Sequence, residues 1–121
     1  MTKQIPKSLE WVGSSKKDLL AMPESVIDLV GYALHLAQNG HKHEQAKVLQ
    51  GFGSAGVLEV VENDDGGTYR AVYTVRFKNA VYVLHCFQKK SRKGISTPKH
   101  EMDVVMARLK LAKEHSEGTA K

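Results

Sequence analysis

The stretch VLEVVENDDGGTYRAVYTVRFKNAVYVLHCFQ, residues 57–88, holds three runs of strand-forming residues separated by two turn signals. Val, Tyr, Thr and Phe dominate the runs, and these side chains fit a pleated surface. Asn63-Asp64-Asp65-Gly66-Gly67 is a strong turn signal, and Lys78-Asn79 reads as a two-residue turn. The expectation is an antiparallel meander with strands over 57–62, 68–77 and 80–88.

Around the meander the pattern changes. Residues 7–12 (KSLEWV) alternate polar and apolar and read as a short first strand. Ser14-Ser15 can cap a brief helix through Leu20. Pro23 and Glu24 open a second helix, which Asn39-Gly40 stops. Its apolar residues Val26, Ile27, Val30, Ala33, Leu34 and Ala37 recur at spacings of three and four, so one face is buried. Residues 41–56 read as a polar, then glycine-rich loop. Thr97-Pro98 starts a last helix that carries Met102, Val105, Met106 and Leu109 on one face and runs to about Glu114. The fold class is therefore α+β: an N-terminal strand, a helical hairpin, a three-stranded antiparallel meander and a C-terminal helix. Helices cover one sheet face and leave the other open or partly covered. Residues 1–115 form one domain, with residues 116–121 a disordered tail.

The chain has 121 residues, enough to bury a core without a metal or disulfide staple. A single cysteine, Cys86, excludes an internal disulfide and suits a reducing, cytoplasmic setting. No signal peptide and no membrane-length apolar run is visible. Charge is segregated. Between Gly66 and His100 lie Arg70, Arg76, Lys78, Lys89, Lys90, Arg92, Lys93 and Lys99 with no acid, against a net charge of +5 for the whole chain. A cation cluster on a mildly acidic body points to a polyanionic partner, nucleic acid above all; a solvated lysine rim is the plain alternative.

Side chains on a strand alternate faces. With a two-residue turn at Lys78-Asn79, Arg70 falls opposite Phe87, Val72 opposite His85 and Ala71 opposite Cys86. One face then gathers Arg70, His85 and Lys89 around Phe87; the other gathers Tyr73, Val75, Tyr82 and Leu84 as core. The first set suits a phosphodiester. Cleaving RNA through its 2′-hydroxyl needs a base, charge stabilisation at phosphorus and a proton for the leaving 5′-oxygen. Arg70 suits the second task, because a guanidinium forks onto phosphate oxygens and stays charged. His85, Lys89 or Lys90 suit the proton transfers. Phe87 offers a face for a base to stack on. Arg76, Arg92, Lys93 and Lys99 would bind the RNA backbone. Plainer readings stand beside these: a satisfied strand histidine, and an Arg70 paired with a nearby carboxylate. His41, His43 and Glu44 lack a further ligand in sequence, so no metal is expected; Cys86 reads as core.

LVGYALHLAQNG, KVLQGFGSAGVLEV, TYRAVYTVRF and VYVLHCFQKKSRKGISTPKHE, in this order and spacing, resemble the RelE/ParE superfamily of type II toxins, specifically its HigB-like, phage-derived branch. The resemblance implies a small RelE-like toxin that cleaves mRNA in the ribosomal A site, needs no cofactor, and is held inactive by a helix-turn-helix antitoxin encoded beside it. Arg70 matches the family's YR arginine, and Lys89 or Lys90 falls near a basic residue that some relatives use as acid. Where RelE relatives carry two lysines on the first meander strand this chain has Val57 and Glu59, and the tyrosine some relatives place at the start of the last helix is absent. The acid and base therefore stay open. A ParE-like gyrase inhibitor and a non-catalytic RNA- or ribosome-binding domain are the alternative readings.

Overall fold

The computed structural model of the chain describes residues 5–53, 56–64, 67–89 and 97–119. Lys90, Arg92 and Lys93 lie outside them. The elements run β1 (Ser8–Trp11), α1 (Ser15–Leu20), α2 (Glu24–Gln38), β2 (Ala46–Val48), β3 (Val57–Asp64), β4 (Gly67–Thr74), β5 (Ala80–Lys89) and α3 (Lys99–Thr119). One five-stranded sheet, in the order β1-β5-β4-β3-β2, carries them. The meander β3–β4–β5 is antiparallel, and β1 lies parallel to the first half of β5, Ser8 beside Ala80 through Trp11 beside Val83.

Local chemistry explains the helix boundaries. Pro23 takes the N-cap position of α2, where its missing N–H is no loss. At the other end His41 N bonds to Leu36 O at 2.8 Å and Gly40 N to Ala37 O at 3.1 Å. This double closure needs a left-handed residue between, and Gly40 has φ +82°. The α2 stripe Val26, Val30, Ala33, Leu34 and Ala37 packs with Leu58, Val60, Tyr69, Ala71, Tyr73, Val81, Val83 and Cys86 to form the main core.

A second core lies on the opposite face. There α3 places Val105 and Ala112 against Val57, Val72, Tyr82, Leu84 and Phe87, with Leu109 half-buried beside them. Tyr82 fixes the far end of the helix, its hydroxyl 2.8 Å from His115 Nδ1. Complete burial of Val105 alone contributes roughly 1.5–3 kcal/mol. Helices therefore cover both faces, not one. The physical reason is the apolar run from Ala80 to Leu84: a strand buried on both sides needs no polar alternation.

Other expectations are corrected here. Lys78-Asn79 is not a two-residue turn, since β4 ends at Thr74 and β5 begins at Ala80. The register nevertheless holds in the far half: Arg70 opposes Phe87, Ala71 opposes Cys86 and Val72 opposes His85. It then slips, Tyr73 pairing with Val83, so Leu84 is an extra residue. That bulge turns Tyr82 and Leu84 onto the α3 face, away from Tyr73. The supposed loop 41–56 contains β2, an edge strand paired to β3, too short for its three residues to show a period. His43 is buried there, its ring edge-on to Tyr32 at 5.6 Å. On α3 the buried stripe runs through Val105 and Ala112, leaving Met106 exposed, and the helix continues past Glu114 to Thr119.

Candidate functional site: a buried ionic patch beside the second core

Beyond the apolar half of the α3 face, the same face turns ionic. Thr68, Arg70 and Val72 of β4 share it with Lys89, Phe87 and His85, their partners on β5, and with Glu59 of β3, the partner of Val72. The structure thus brings together Arg70, His85, Phe87 and Lys89, at exposures of 6%, 8%, 7% and 7%.

These side chains do not face open solvent. Arg70 Nη1 donates to Glu59 Oε1 at 3.0 Å and to Thr97 Oγ1 at 3.5 Å, and the Thr97 hydroxyl donates to Glu59 Oε2 at 2.9 Å. A carboxylate from β3 therefore meets the guanidinium, and the residue preceding α3 by two positions closes over both. Such a desolvated pair is tolerable because each carboxylate oxygen has a donor. His85 Nε2 lies 2.8 Å from Glu101 Oε1, and its ring stacks on Phe87 with centroids 4.7 Å apart and planes at 24°. The Phe87 face expected for a base is occupied by His85. Arg108 of α3 reaches the same imidazole from the other side, with Nη1 3.4 Å from Nδ1 and 3.0 Å from the Leu84 carbonyl it donates to.

Of the remaining sequence candidates, the two among the described residues, Arg76 and Lys99, lie apart. Arg76 follows β4 at the opposite end from Arg70, and its guanidinium donates to the Phe52 carbonyl. Lys99 opens α3 with its side chain 91% exposed, 3.5 Å from Asp103. An exposed i,i+4 pair of this kind contributes little to stability. Beside His85 and Phe87 opens a cleft of about 390 Å³ whose walls include Asp18, Met22, Tyr69 and Gln88. Among the described residues no three His, Cys, Asp or Glu side chains converge as metal ligands, and no helix is long and apolar enough to cross a membrane.

Sequence reasoning allowed Arg70 a carboxylate partner, which the structure supplies, without identifying Glu59 as that partner or Glu101 as the partner of His85. Glu59 reads there only as a lost lysine, and Glu101 is given no role. A signal existed for Glu59: among the apolar residues 57–61 it is the sole charge. A carboxylate in such a place requires a cationic partner across the strands.

Chemically, the patch holds a guanidinium matched to phosphate oxygens, a carboxylate within reach of the same guanidinium, an imidazole and an ammonium. Burial pushes the nearby Cys86 thiol up to about 12, with Asp18 adding to the effect and Arg108 opposing it, so the thiol is no nucleophile at neutral pH.

No curated protein matches the chain. Among solved structures, the toxin-antitoxin complex RelBE2 from Mycobacterium tuberculosis contains a similar chain at 18% identity and TM-score 0.45, covering 74% of this chain and 98% of that one. The family model described as "Phage derived protein Gp49-like (DUF891)" matches residues 17–110. The chain therefore belongs to the phage-derived Gp49-like family, in line with the phage-derived branch its motifs resemble.

Proposed function

We propose that this protein is the RelE-type toxin of a toxin–antitoxin pair and that it inhibits translation by cutting mRNA in the ribosomal A site. The observation that carries the reading is the Glu59–Arg70 pair at 3.0 Å, on the face that also bears His85 and Lys89. In the reaction Glu59 takes the proton of the 2′-hydroxyl as that oxygen attacks phosphorus. Arg70 turns its guanidinium from the carboxylate to the developing phosphorane charge, a substitution of one anion for another. His85 or Lys89 supplies the proton that leaves with the 5′-oxygen. The products are a 2′,3′-cyclic phosphate and a 5′-hydroxyl. These steps draw on side chains alone, and a flanking base fits the cleft of about 390 Å³ beside Phe87.

The patch is closed at rest, so the substrate must displace contacts. The Thr97 hydroxyl has to leave Glu59, and Glu101 has to yield its place at His85. A helix-turn-helix antitoxin would act by keeping this segment shut or by covering the basic face.

The burial of Arg70 favours one second reading, a ribosome-binding module on the same fold that cuts nothing. Adding the purified chain to a bacterial translation extract separates the two. Truncated mRNA is the expected result, with Glu59→Gln slower by about 100-fold or more. Intact message with blocked translation supports the binding module. Unaffected translation with inhibited gyrase supercoiling contradicts both.

A further inference from the structure

We infer that Arg108 is a positioning residue: it fixes His85 with its only ring proton on Nε2, which makes His85 a hydrogen-bond donor and leaves Lys89 to supply the proton of the reaction. The tautomer follows from which groups can only donate. A guanidinium has no acceptor, so Arg108 Nη1 at 3.4 Å requires a lone pair on His85 Nδ1. The ring hydrogen is then on Nε2, where the Glu101 carboxylate, which only accepts when ionised, waits at 2.8 Å. A doubly protonated ring would instead set an N–H against a cation.

Arg108 is itself held in place. Its Nη1 donates to Leu84 O at 3.0 Å and its Nη2 to Ser14 Oγ at 3.2 Å, while the Ser14 hydroxyl donates to Asp18 Oδ2 at 2.7 Å. The donor chain thus runs in one direction, from Arg108 outward to Asp18 and inward to His85. Backbone makes room for it: Gly13 has φ +58°, and a Cβ there would lie 2.7 Å from Arg108 Nε. The bulge at Leu84 aims the carbonyl that completes the cradle. Among the described residues the charged or titratable groups around His85 include Glu101 and Arg108 of α3, Asp18 of α1 through Ser14, the neighbouring Cys86, and Arg70 of β4, which lies across from the stacked Phe87.

The assignment of Lys89 rests on the proposed RNA cleavage; the tautomer does not, and the test keeps them apart. Long-range ¹⁵N–¹H NMR of the whole chain at neutral pH should show His85 Nδ1 as unprotonated and Nε2 as protonated. Arg108→Met should move the Nδ1 signal, and Arg108→Lys, which keeps a donor, should largely restore it. A doubly protonated His85, an Nδ1–H tautomer, or a spectrum unchanged in Arg108→Met overturns the inference whether or not the protein cuts RNA. In cleavage assays His85→Gln, which still donates, should lose about 10-fold, and Lys89→Met about 100-fold or more. The reverse order overturns the role given to Lys89.

Discussion

The α1/α2 face of the sheet buries the larger apolar cluster and the α3 face the smaller, and the two differ in what else they bury. The α1/α2 face is apolar, with Tyr69 and Tyr73 among its aliphatic side chains. Its one buried side-chain oxygen left without a partner among the described residues is the Tyr73 hydroxyl. The α3 face is apolar over half its length and ionic over the rest, where Glu59, Arg70, His85, Lys89 and Glu101 crowd together. Burying such groups yields no more stability than burying leucines would. A chain that spends half a face on them points to chemistry there.

The largest effect expected from breaking this contrast is at Arg70. Arg70→Met strands the Glu59 carboxylate and should destabilise the fold by about 3–5 kcal/mol, measured by urea denaturation. The double variant Glu59→Leu/Arg70→Met should recover most of that loss and still lack RNA cleavage. A double variant no more stable than the single one would mean that the pair is structural. On the other face, Val30→Ala opens a small hole in the α2 stripe and should cost about 2 kcal/mol with cleavage kept.

How far the sequence carried the reading can be seen at these same residues. Arg70 opposite Phe87 and Val72 opposite His85 came out right although the turn they were counted from is absent, because the extra residue at Leu84 shifts the register back by one. The bulge at Leu84 was invisible, since an extra residue in an apolar run leaves no compositional mark. The α3 stripe was legible only at Val105 and Leu109, and the face it covers was not. The absence of alternation from Ala80 to Leu84 is the mark of that covering, since an antiparallel strand with one wet face would alternate. Glu59 and Glu101 escaped because pairing across strands and onto a helix depends on tertiary placement. The role of Arg108 escaped for the same reason, being distant in sequence from both His85 and Ser14.

A smaller effect sharpens the apolar face by pH. Burial pushes both the Cys86 thiol and the Tyr73 phenol up to about 12, from ordinary values of 9.0 and 10.0. Both are acids held neutral by folding. As pH rises the unfolded chain releases these protons first, so stability is full below about 9 and declines from there towards 12. Urea midpoints measured between pH 8 and pH 11 should fall, and fall less steeply in Cys86→Ala. The smallest effect is at Tyr73→Phe. Removing a buried hydroxyl that has no partner among the described residues should leave stability unchanged or raise it by up to about 1 kcal/mol. A loss larger than that would reveal a bond to this oxygen.

The ionic patch is claimed as a place where a 2′-hydroxyl attacks its own phosphodiester, and the ends of the cut RNA report on that step alone. Mass spectrometry of the fragments formed on translating ribosomes should find a 2′,3′-cyclic phosphate, or the phosphate from its opening, facing a 5′-hydroxyl. Fragments ending in a 3′-hydroxyl and a 5′-phosphate would mean that water, not the ribose, is the nucleophile, and would contradict the roles given to Glu59 and Arg70.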